Sequence, residues 1–130
     1  MLYLDSSALV KLAITEAESA SLRNWLAERP NLVLVSSSLI RAEVPRVVWR
    51  ADPSALPESY QVIRRITEIE VTDSVLSKAA SVRPAILRAL DAIHLASALT
   101  LRSDITAFVA YDKRLLAAAR DAGLPTASPA

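Results

Sequence analysis

Four acidic residues stand where the predicted elements would bring a site together. Asp5 ends an apolar segment and Asp112 directly follows another, while Asp91 begins a helical pattern and Glu43 lies inside one. Carboxylates packed together raise one another's pKa, and a divalent cation removes that cost. Oxygen ligands without cysteine favour Mg²⁺ or Mn²⁺. Such an ion can activate water and orient a phosphodiester, so carboxylates that hold it could hydrolyse phosphodiester bonds.

Each of these acids also has a purely structural interpretation. Asp91 and Asp112 stand at predicted helix starts, where aspartate commonly caps free N–H groups and favours the helix dipole. Glu43, taken alone, is typical of a solvated helix residue. Asp5 ends a buried strand, a place where ligands gather in parallel sheets. Residue types and spacing leave both interpretations open.

Apolar segments alternate with helical patterns along the chain. Strands are predicted over Leu2–Asp5, Leu32–Val35, Glu68–Val71 and Ala107–Tyr111. Helices are predicted over about Ala8–Ile14, from Thr15 to Arg29, from Ser36 through Glu43 towards Arg50, over Ala55–Thr67, from Thr72 or Asp73 to Arg83-Pro84, and over Asp91–Leu101 and Asp112–Ala122. This alternation predicts an α/β fold with a short parallel sheet flanked by helices on both faces.

Several residues are predicted to start or stop these elements. Ser6 or Ser7 is the expected cap of the first helix. The segment Thr15–Glu18 has the spacing of a capping box for the second helix. Gly123 is the expected C′ residue of the last helix, and Pro125–Ala130 is expected to form a short edge strand or a tail. Because Gly123 is the only glycine, Gly-rich phosphate loops are excluded.

Length and composition set wider limits on the protein. The 130 residues have room for one ordinary domain, and we expect a single domain over 1–130. A formal net charge of +1 implies that nucleic acid would bind to a local basic patch. No segment is long and apolar enough to span a membrane, and Met1–Asp5 lacks the features of a secretory signal. We therefore expect a cytoplasmic protein. Because the sequence has no cysteine, a disulfide framework is excluded.

The sequence around the acids resembles PIN-domain toxins of the VapC type. The similar segments are Met1–Leu12, Ser37–Val44, Leu90–Ala98, and Phe108–Leu115 followed by Ala118, Ala119 and Gly123. Each segment alone is a weak match. All of them in family order, across nearly the whole chain, make a specific one.

The resemblance implies a PIN domain that cleaves RNA endonucleolytically as the toxin of a type II toxin–antitoxin pair. Asp5, Glu43, Asp91 and Asp112 would form an acidic pocket that binds Mg²⁺ or Mn²⁺, and Ser6 would support that pocket by hydrogen bonding. The implied partners are the RNA substrate, a VapB-like antitoxin that caps the site, and a second copy of the chain in a homodimer.

Two departures from the family pattern keep an alternative function open. Pro45 has no N–H for the carbonyl of Arg41, so we expect the helix around Glu43 to kink or restart. Ala110 stands where the family often has threonine or serine, so a hydroxyl near the metal would be missing. The alternative is a catalytically weak or inactive PIN-fold module that binds RNA or protein.

The only histidine, His94, follows Asp91 by about one helical turn, so the two side chains lie on the same side of their helix. An acid–base role is conceivable there. We expect a structural hydrogen bond instead. Trp25 and Trp49 are candidates for stacking on RNA bases, but we expect both to lie in the core.

Three basic residues flank the acidic segments: Arg88, Lys113 and Arg114. They are candidate contacts for RNA phosphates or for the antitoxin. Taken alone, ordinary solvated surface charge is the preferred interpretation of these residues.

Overall fold

The computed structural model describes all residues from 1 to 130. The strands are β1 (Leu2–Leu4), β2 (Leu34–Ser37), β3 (Thr67–Ile69), β4 (Ala107–Val109) and β5 (Thr126–Ala127). The α-helices are α1 (Ser6–Ala13), α2 (Ser19–Ala27), α3 (Ile40–Ala51), α4 (Leu56–Arg64), α5 (Asp73–Ala79), α6 (Ala89–Leu99) and α7 (Lys113–Asp121). Short 3₁₀ turns cover Pro53–Ala55 and Arg102–Asp104.

The strands form one parallel sheet in the order β3-β2-β1-β4-β5, with β1 at its centre. Leu2 of β1 lies opposite Leu34 of β2 on one side and Ala107 of β4 on the other. The chain therefore runs outward from β1 through β2 to β3, and then crosses to β4 and β5 on the other side of β1. A crevice forms at such a point, outside the carboxyl ends of the strands, and Asp5 follows β1 there.

Helices cover both faces of the sheet, which confirms the predicted α/β fold class. Leu2 and Leu4 of β1 pack into a core with residues of α1, α3 and α4. Tyr3 points to the opposite face and packs with Leu95 of α6 and Leu115 of α7. All three residues of β1 are fully buried because neighbouring side chains of a strand point to opposite faces and both faces are covered. None of the helices has the length and apolar character needed to span a bilayer.

The first two helices begin differently from the prediction. Asp5, and neither Ser6 nor Ser7, is the N-cap of α1. The capping box over Thr15–Glu18 is absent, since α2 begins at Ser19 and Glu18 makes no side-chain cap. The Glu18 carboxylate instead pairs with Lys11, with Oε2 2.9 Å from Lys11 Nζ.

The third helix runs without interruption from Ile40 to Ala51, so the restart expected at Pro45 does not occur. Its buried side includes Ile40, Val44 and Val48 at four-residue spacing. Trp49 lies about 100° further round the helix and is 59% exposed, so the prediction of a core tryptophan is wrong there. Trp25 is partly buried against the core, as expected.

The last helix ends at Asp121 with Ala122 as its C-cap, and Gly123 follows as the predicted C′ residue. The φ angle of Gly123 is +90°, a conformation that residues with a side chain rarely adopt. Gly123 N–H donates to Arg120 O, and Leu124 N–H donates to Ala119 O, which satisfies two carbonyls at the helix end. The chain then turns back to form the short edge strand β5.

Candidate active site

Asp5 is nearly buried at the end of the central strand. Its Oδ1 accepts hydrogen bonds from Ser7 Oγ at 2.6 Å and from the backbone N–H of Ala8 at 3.0 Å, while Oδ2 has no hydrogen-bond partner. Burial raises the pKa of the Asp5 carboxyl, the charge of His94 and the two hydrogen bonds lower it, and the charge of Asp91 raises it further. An ionised Asp5 is therefore costly unless a cation compensates it.

Ser7 makes the hydrogen bond that the resemblance assigned to Ser6. Asp5 is the N-cap residue of α1, and the N2 and N3 positions, here Ser7 and Ala8, face the cap side chain. Ser6 is the N1 residue and makes no hydrogen bond to Asp5. Ser7 Oγ also accepts a hydrogen bond at 3.2 Å from the N–H of Tyr111, two residues beyond β4. Ser7 thus links the ends of β1 and β4.

Glu43 is held by the only histidine of the chain. Glu43 Oε1 lies 2.7 Å from Nε2 of His94, and His94 Nδ1 lies 2.7 Å from the hydroxyl of Tyr3. The hydroxyl in turn accepts the backbone N–H of Ser37 at 3.2 Å. Burial is the largest influence on the Tyr3 hydroxyl and raises its pKa, so this group keeps its proton. The structural hydrogen bond expected of His94 is confirmed.

Asp91 and Asp112 meet at the guanidinium of Arg88. Arg88 Nε lies 3.1 Å from Asp91 Oδ2, and Arg88 Nη2 lies 3.7 Å from Asp112 Oδ2. Asp91 is in the first turn of α6 and does not cap it, since Arg88 occupies the N-cap position. Asp112 does cap α7, because its Oδ1 accepts the backbone N–H groups of Arg114 and Leu115. A cap role and a site role for Asp112 use different oxygens and are compatible.

The remaining basic candidates lie at the same place but make fewer contacts. Arg88, Asp91, Asp112 and Arg114 line a small cavity of about 160 Å³ together with Ile86 and Leu87. Arg114 and Lys113 are exposed at the start of α7 and take part in no ion pair. Of the three basic residues, the structure brings Arg88 into direct contact with the acids.

No group of three or more His, Cys, Asp or Glu side chains is arranged closely enough to hold a metal ion as the side chains stand. Arg88 occupies the space between two of the predicted ligands. The donor chemistry nevertheless fits a hard cation. Asp5 Oδ2 has no partner, and Glu43 uses only Oε1 in its bond to His94. Oxygen donors from carboxylates are the ligands that Mg²⁺ and Mn²⁺ prefer.

Sequence reasoning missed Ser7 and Tyr3 as neighbours of the acids. The signal for Ser7 was its place two residues after a strand-ending aspartate, where an N-cap interaction selects N2 or N3. The signal for Tyr3 was a tyrosine within a wholly buried strand, because a buried phenol needs a hydrogen-bond partner. Ser37 contributes only its backbone N–H, which carries no side-chain signal.

Comparison with known proteins agrees with this architecture. The PIN domain family matches residues 2–121. Among curated proteins, Ribonuclease VapC47 of Mycobacterium tuberculosis is 41% identical over 132 residues, covering 99% of this chain and 97% of that protein. Ribonuclease VapC46 of the same species is 41% identical over 128 residues, covering 98% and 97%. The chain therefore belongs to the PIN-domain family, and its full-length relatives place it in the VapC type.

A solved structure supports the fold independently of close sequence similarity. The crystal structure of VapC20 of Mycobacterium tuberculosis, a Sarcin-Ricin loop cleaving toxin, superposes with a TM-score of 0.79 at 17% sequence identity. The match covers 99% of this chain and 100% of that chain. The five-stranded parallel sheet with helices on both faces is thus the fold of a VapC protein.

Proposed function

We propose that this protein is the toxin of a type II toxin–antitoxin pair and hydrolyses phosphodiester bonds of RNA in a metal-dependent reaction. The observation that carries the proposal is Asp5, a nearly buried carboxyl with an unpartnered oxygen at the end of the central strand. A neighbouring carboxylate, Asp91, adds to the cost of ionising it. A cation ligand explains why a carboxyl stands in such a place. Membership of the VapC type supplies the reaction class.

In this proposal Asp5, Asp91, Asp112 and Glu43 hold Mg²⁺, with Mn²⁺ as a substitute. The bound ion would supply an activated water and charge stabilisation at the phosphodiester. Glu43 uses Oε1 for its bond to His94, so its Oε2 remains available to a ligand or to a proton from water. Asp112 similarly keeps Oδ2 for the site while Oδ1 caps its helix.

The basic residues have separate roles in this proposal. Arg88 exchanges its carboxylate partners for an RNA phosphate when the cation is bound, since a guanidinium binds both groups through paired N–H donors. Arg114 lines the same cavity and adds a second phosphate contact, and Lys113 follows Asp112 on the exposed start of α7. These residues form a local basic patch, which is the kind of RNA-binding surface expected of a protein whose net charge is only +1.

Regulation and assembly form part of the same proposal. A VapB-like antitoxin would cap the pocket and insert an arginine or lysine among the acids, replacing the charge of the metal. The contact of Arg88 with Asp91 and Asp112 supports this arrangement, because a guanidinium of the chain itself lies beside both carboxylates. The toxin is expected to act as a homodimer in the cytoplasm, where its RNA substrate is found.

The test is cleavage of total RNA by purified protein free of antitoxin, with Mg²⁺, with Mn²⁺ and with a chelator. Asp5→Asn and Asp91→Asn serve as site variants, because asparagine keeps the shape of each side chain and removes the charge. We expect discrete fragments that require the metal and disappear in both variants. Fragments that persist in the chelator would refute the metal-dependent mechanism.

The alternative function is a PIN-fold module that binds RNA or protein without cleaving it. Two observations favour this alternative. No three acidic or histidine side chains are placed to bind one metal ion, and Arg88 pairs with Asp91. A folded protein that neither binds Mn²⁺ nor cleaves RNA, yet retains RNA on a filter, would establish it.

A further inference from the structure

We infer that His94, held in place by Tyr3, is a positioning residue that sets the orientation of Glu43 and leaves Glu43 Oε2 free for the proposed metal site. The inference rests on the proposed function, and it concerns residues outside the four predicted ligands. His94 reaches the site only through Glu43. It therefore affects metal binding indirectly, through Glu43, and is not itself a ligand.

The hydrogen-bonded chain crosses four elements of the fold. It runs from the N–H of Ser37 on β2 to the hydroxyl of Tyr3 on β1, then to His94 on α6 and finally to Glu43 on α3. The two bonds made by the imidazole are both 2.7 Å long. Tyr3 and His94 are 91 positions apart in the sequence, and His94 and Glu43 are 51 apart. These two long-range contacts connect the Glu43 carboxylate to the central strand of the sheet.

Packing gives the chain little freedom to move. The side chain of His94 is 1% exposed. Tyr3 is fully buried, and its ring stacks on Phe108 with centroids 5.1 Å apart and an interplanar angle of 5°. The imidazole meets the Tyr3 ring edge to face at 5.9 Å. Locked rotamers behind a functional side chain hold it in place more accurately than solvent contacts do.

The direction of the bond to Glu43 follows from its geometry. A carboxylate oxygen accepts, so the N–H at His94 Nε2 donates to Glu43 Oε1 at 2.7 Å. On the other side of the ring, His94 Nδ1 shares a hydrogen bond with the Tyr3 hydroxyl, which also accepts the N–H of Ser37. Only Oε2 then remains for a cation or a water, which gives Glu43 a defined direction.

A purely structural role would require only an acceptor for the buried Nε2–H of His94. It would not require that acceptor to be a glutamate whose second oxygen is unpartnered and whose side chain is 17% exposed. Glutamate has several rotatable bonds, and ordering them on metal binding costs entropy. A bond to His94 removes that cost before the metal arrives. Removing a hydrogen-bond partner that orients a metal ligand typically lowers the affinity for the metal by about 10- to 100-fold.

The test is a double-mutant cycle on Mn²⁺ affinity, measured by electron paramagnetic resonance of free Mn²⁺ without RNA. His94→Asn keeps a polar atom near the Nδ1 position facing Tyr3 and loses the bond to Glu43. His94→Gln is the matched control, because its amide N–H reaches the Nε2 position. Glu43→Ala and the double variant Glu43→Ala with His94→Asn complete the cycle. Thermal unfolding of each variant verifies that it is folded.

We expect His94→Asn to weaken Mn²⁺ binding by about tenfold or more and His94→Gln to restore most of it. In the Glu43→Ala background, His94→Asn should have no further effect, since coupled residues are not additive. Tyr3→Phe keeps the ring packing and should weaken binding by less than His94→Asn. If His94→Asn does not fold, Tyr3→Phe takes its place in the cycle, and its effect on Mn²⁺ affinity should likewise disappear in the Glu43→Ala background.

Different results separate this inference from the proposed function. Equal effects of His94→Asn with and without Glu43, or unchanged affinity in a folded His94→Asn, would overturn the positioning role alone. Unchanged affinity in Glu43→Ala would remove Glu43 from the ligand set and overturn the inference with it. A folded wild-type protein that binds no Mn²⁺ would overturn both.

Discussion

Nε of Arg88 lies 3.1 Å from Oδ2 of Asp91, so a cation supplied by the chain itself pairs with a predicted metal ligand. The same guanidinium reaches Asp112 at 3.7 Å. The side chain of Arg88 is 76% exposed, which leaves it free to move away. Arg88 thereby compensates two carboxylates that would otherwise repel each other before a divalent cation enters the site.

Arg88→Gln should increase Mn²⁺ affinity in the absence of RNA, because it removes a competing positive charge from the ligands. The effect should be at most about fivefold, since exposed ion pairs are worth roughly 0.2–1 kcal/mol. Calorimetric titration measures it. Arg114→Gln is the matched control, as Arg114 lines the same cavity without an ion pair. Weaker Mn²⁺ binding in Arg88→Gln than in Arg114→Gln would contradict the competition.

Asp5→Asn should stabilise the metal-free fold at neutral pH. Burial raises the pKa of Asp5, so the folded state holds this proton more tightly than the unfolded chain does. In the wild type, the contribution of the Asp5 proton to the free energy of unfolding is complete below the pKa of the unfolded state. It is lost as pH rises through the raised pKa of the folded state. Asparagine keeps an oxygen to cap α1 and carries no charge to desolvate.

Thermal unfolding in a chelator at a series of pH values measures this effect. The Tm of Asp5→Asn should exceed that of wild type by a margin that grows from acid to neutral pH. Added Mn²⁺ should raise the Tm of wild type and leave that of Asp5→Asn unchanged, because a ligand stabilises the state that binds it. An Asp5→Asn protein that is less stable than wild type at every pH would show that the charge of Asp5 supports the fold by itself.

Gly123→Ala should destabilise the fold without touching the site. The φ angle of +90° is strained for alanine, and a Cβ at this position would lie 2.9 Å from Arg102 Nη1. We expect a loss of about 1–2 kcal/mol in the free energy of unfolding, measured in urea. Mn²⁺ affinity of the folded fraction should not change. An unaltered free energy of unfolding would mean that the turn after α7 relaxes freely.

The sequence predicted the order of elements well because each apolar segment and helical pattern is a local property. Element bounds were less accurate. The helix predicted over 55–67 ends at Arg64, since Thr67 begins β3 and pairs with Val35 of β2. The strand predicted over 32–35 lies at 34–37 because pairing with β1 sets its register. Registers depend on partners that are distant in sequence.

The candidate site likewise has features that the sequence predicts locally and features that depend on the assembled fold. The acids were recognisable from their positions relative to strands and helices, and Asp112 was a predicted cap. The bonds of His94 to Tyr3 and Glu43 join residues from three elements, and no periodicity within one helix encodes them. Contact between Arg88 and Asp112 depends on how α6 and α7 pack. Such contacts follow from the assembled fold.

The central claim is that these carboxylates hold a divalent cation, and Asp112 tests it against the simpler helix-cap role. Asp52 is a matched control, because its Oδ1 caps a 3₁₀ turn outside the site. Asparagine preserves the cap at both positions. The measurement is a calorimetric Mn²⁺ titration of wild type, Asp112→Asn and Asp52→Asn. We predict that wild type and Asp52→Asn bind alike and that Asp112→Asn loses binding. Equal Mn²⁺ affinity in Asp112→Asn and wild type, or no binding by folded wild type, would contradict the account.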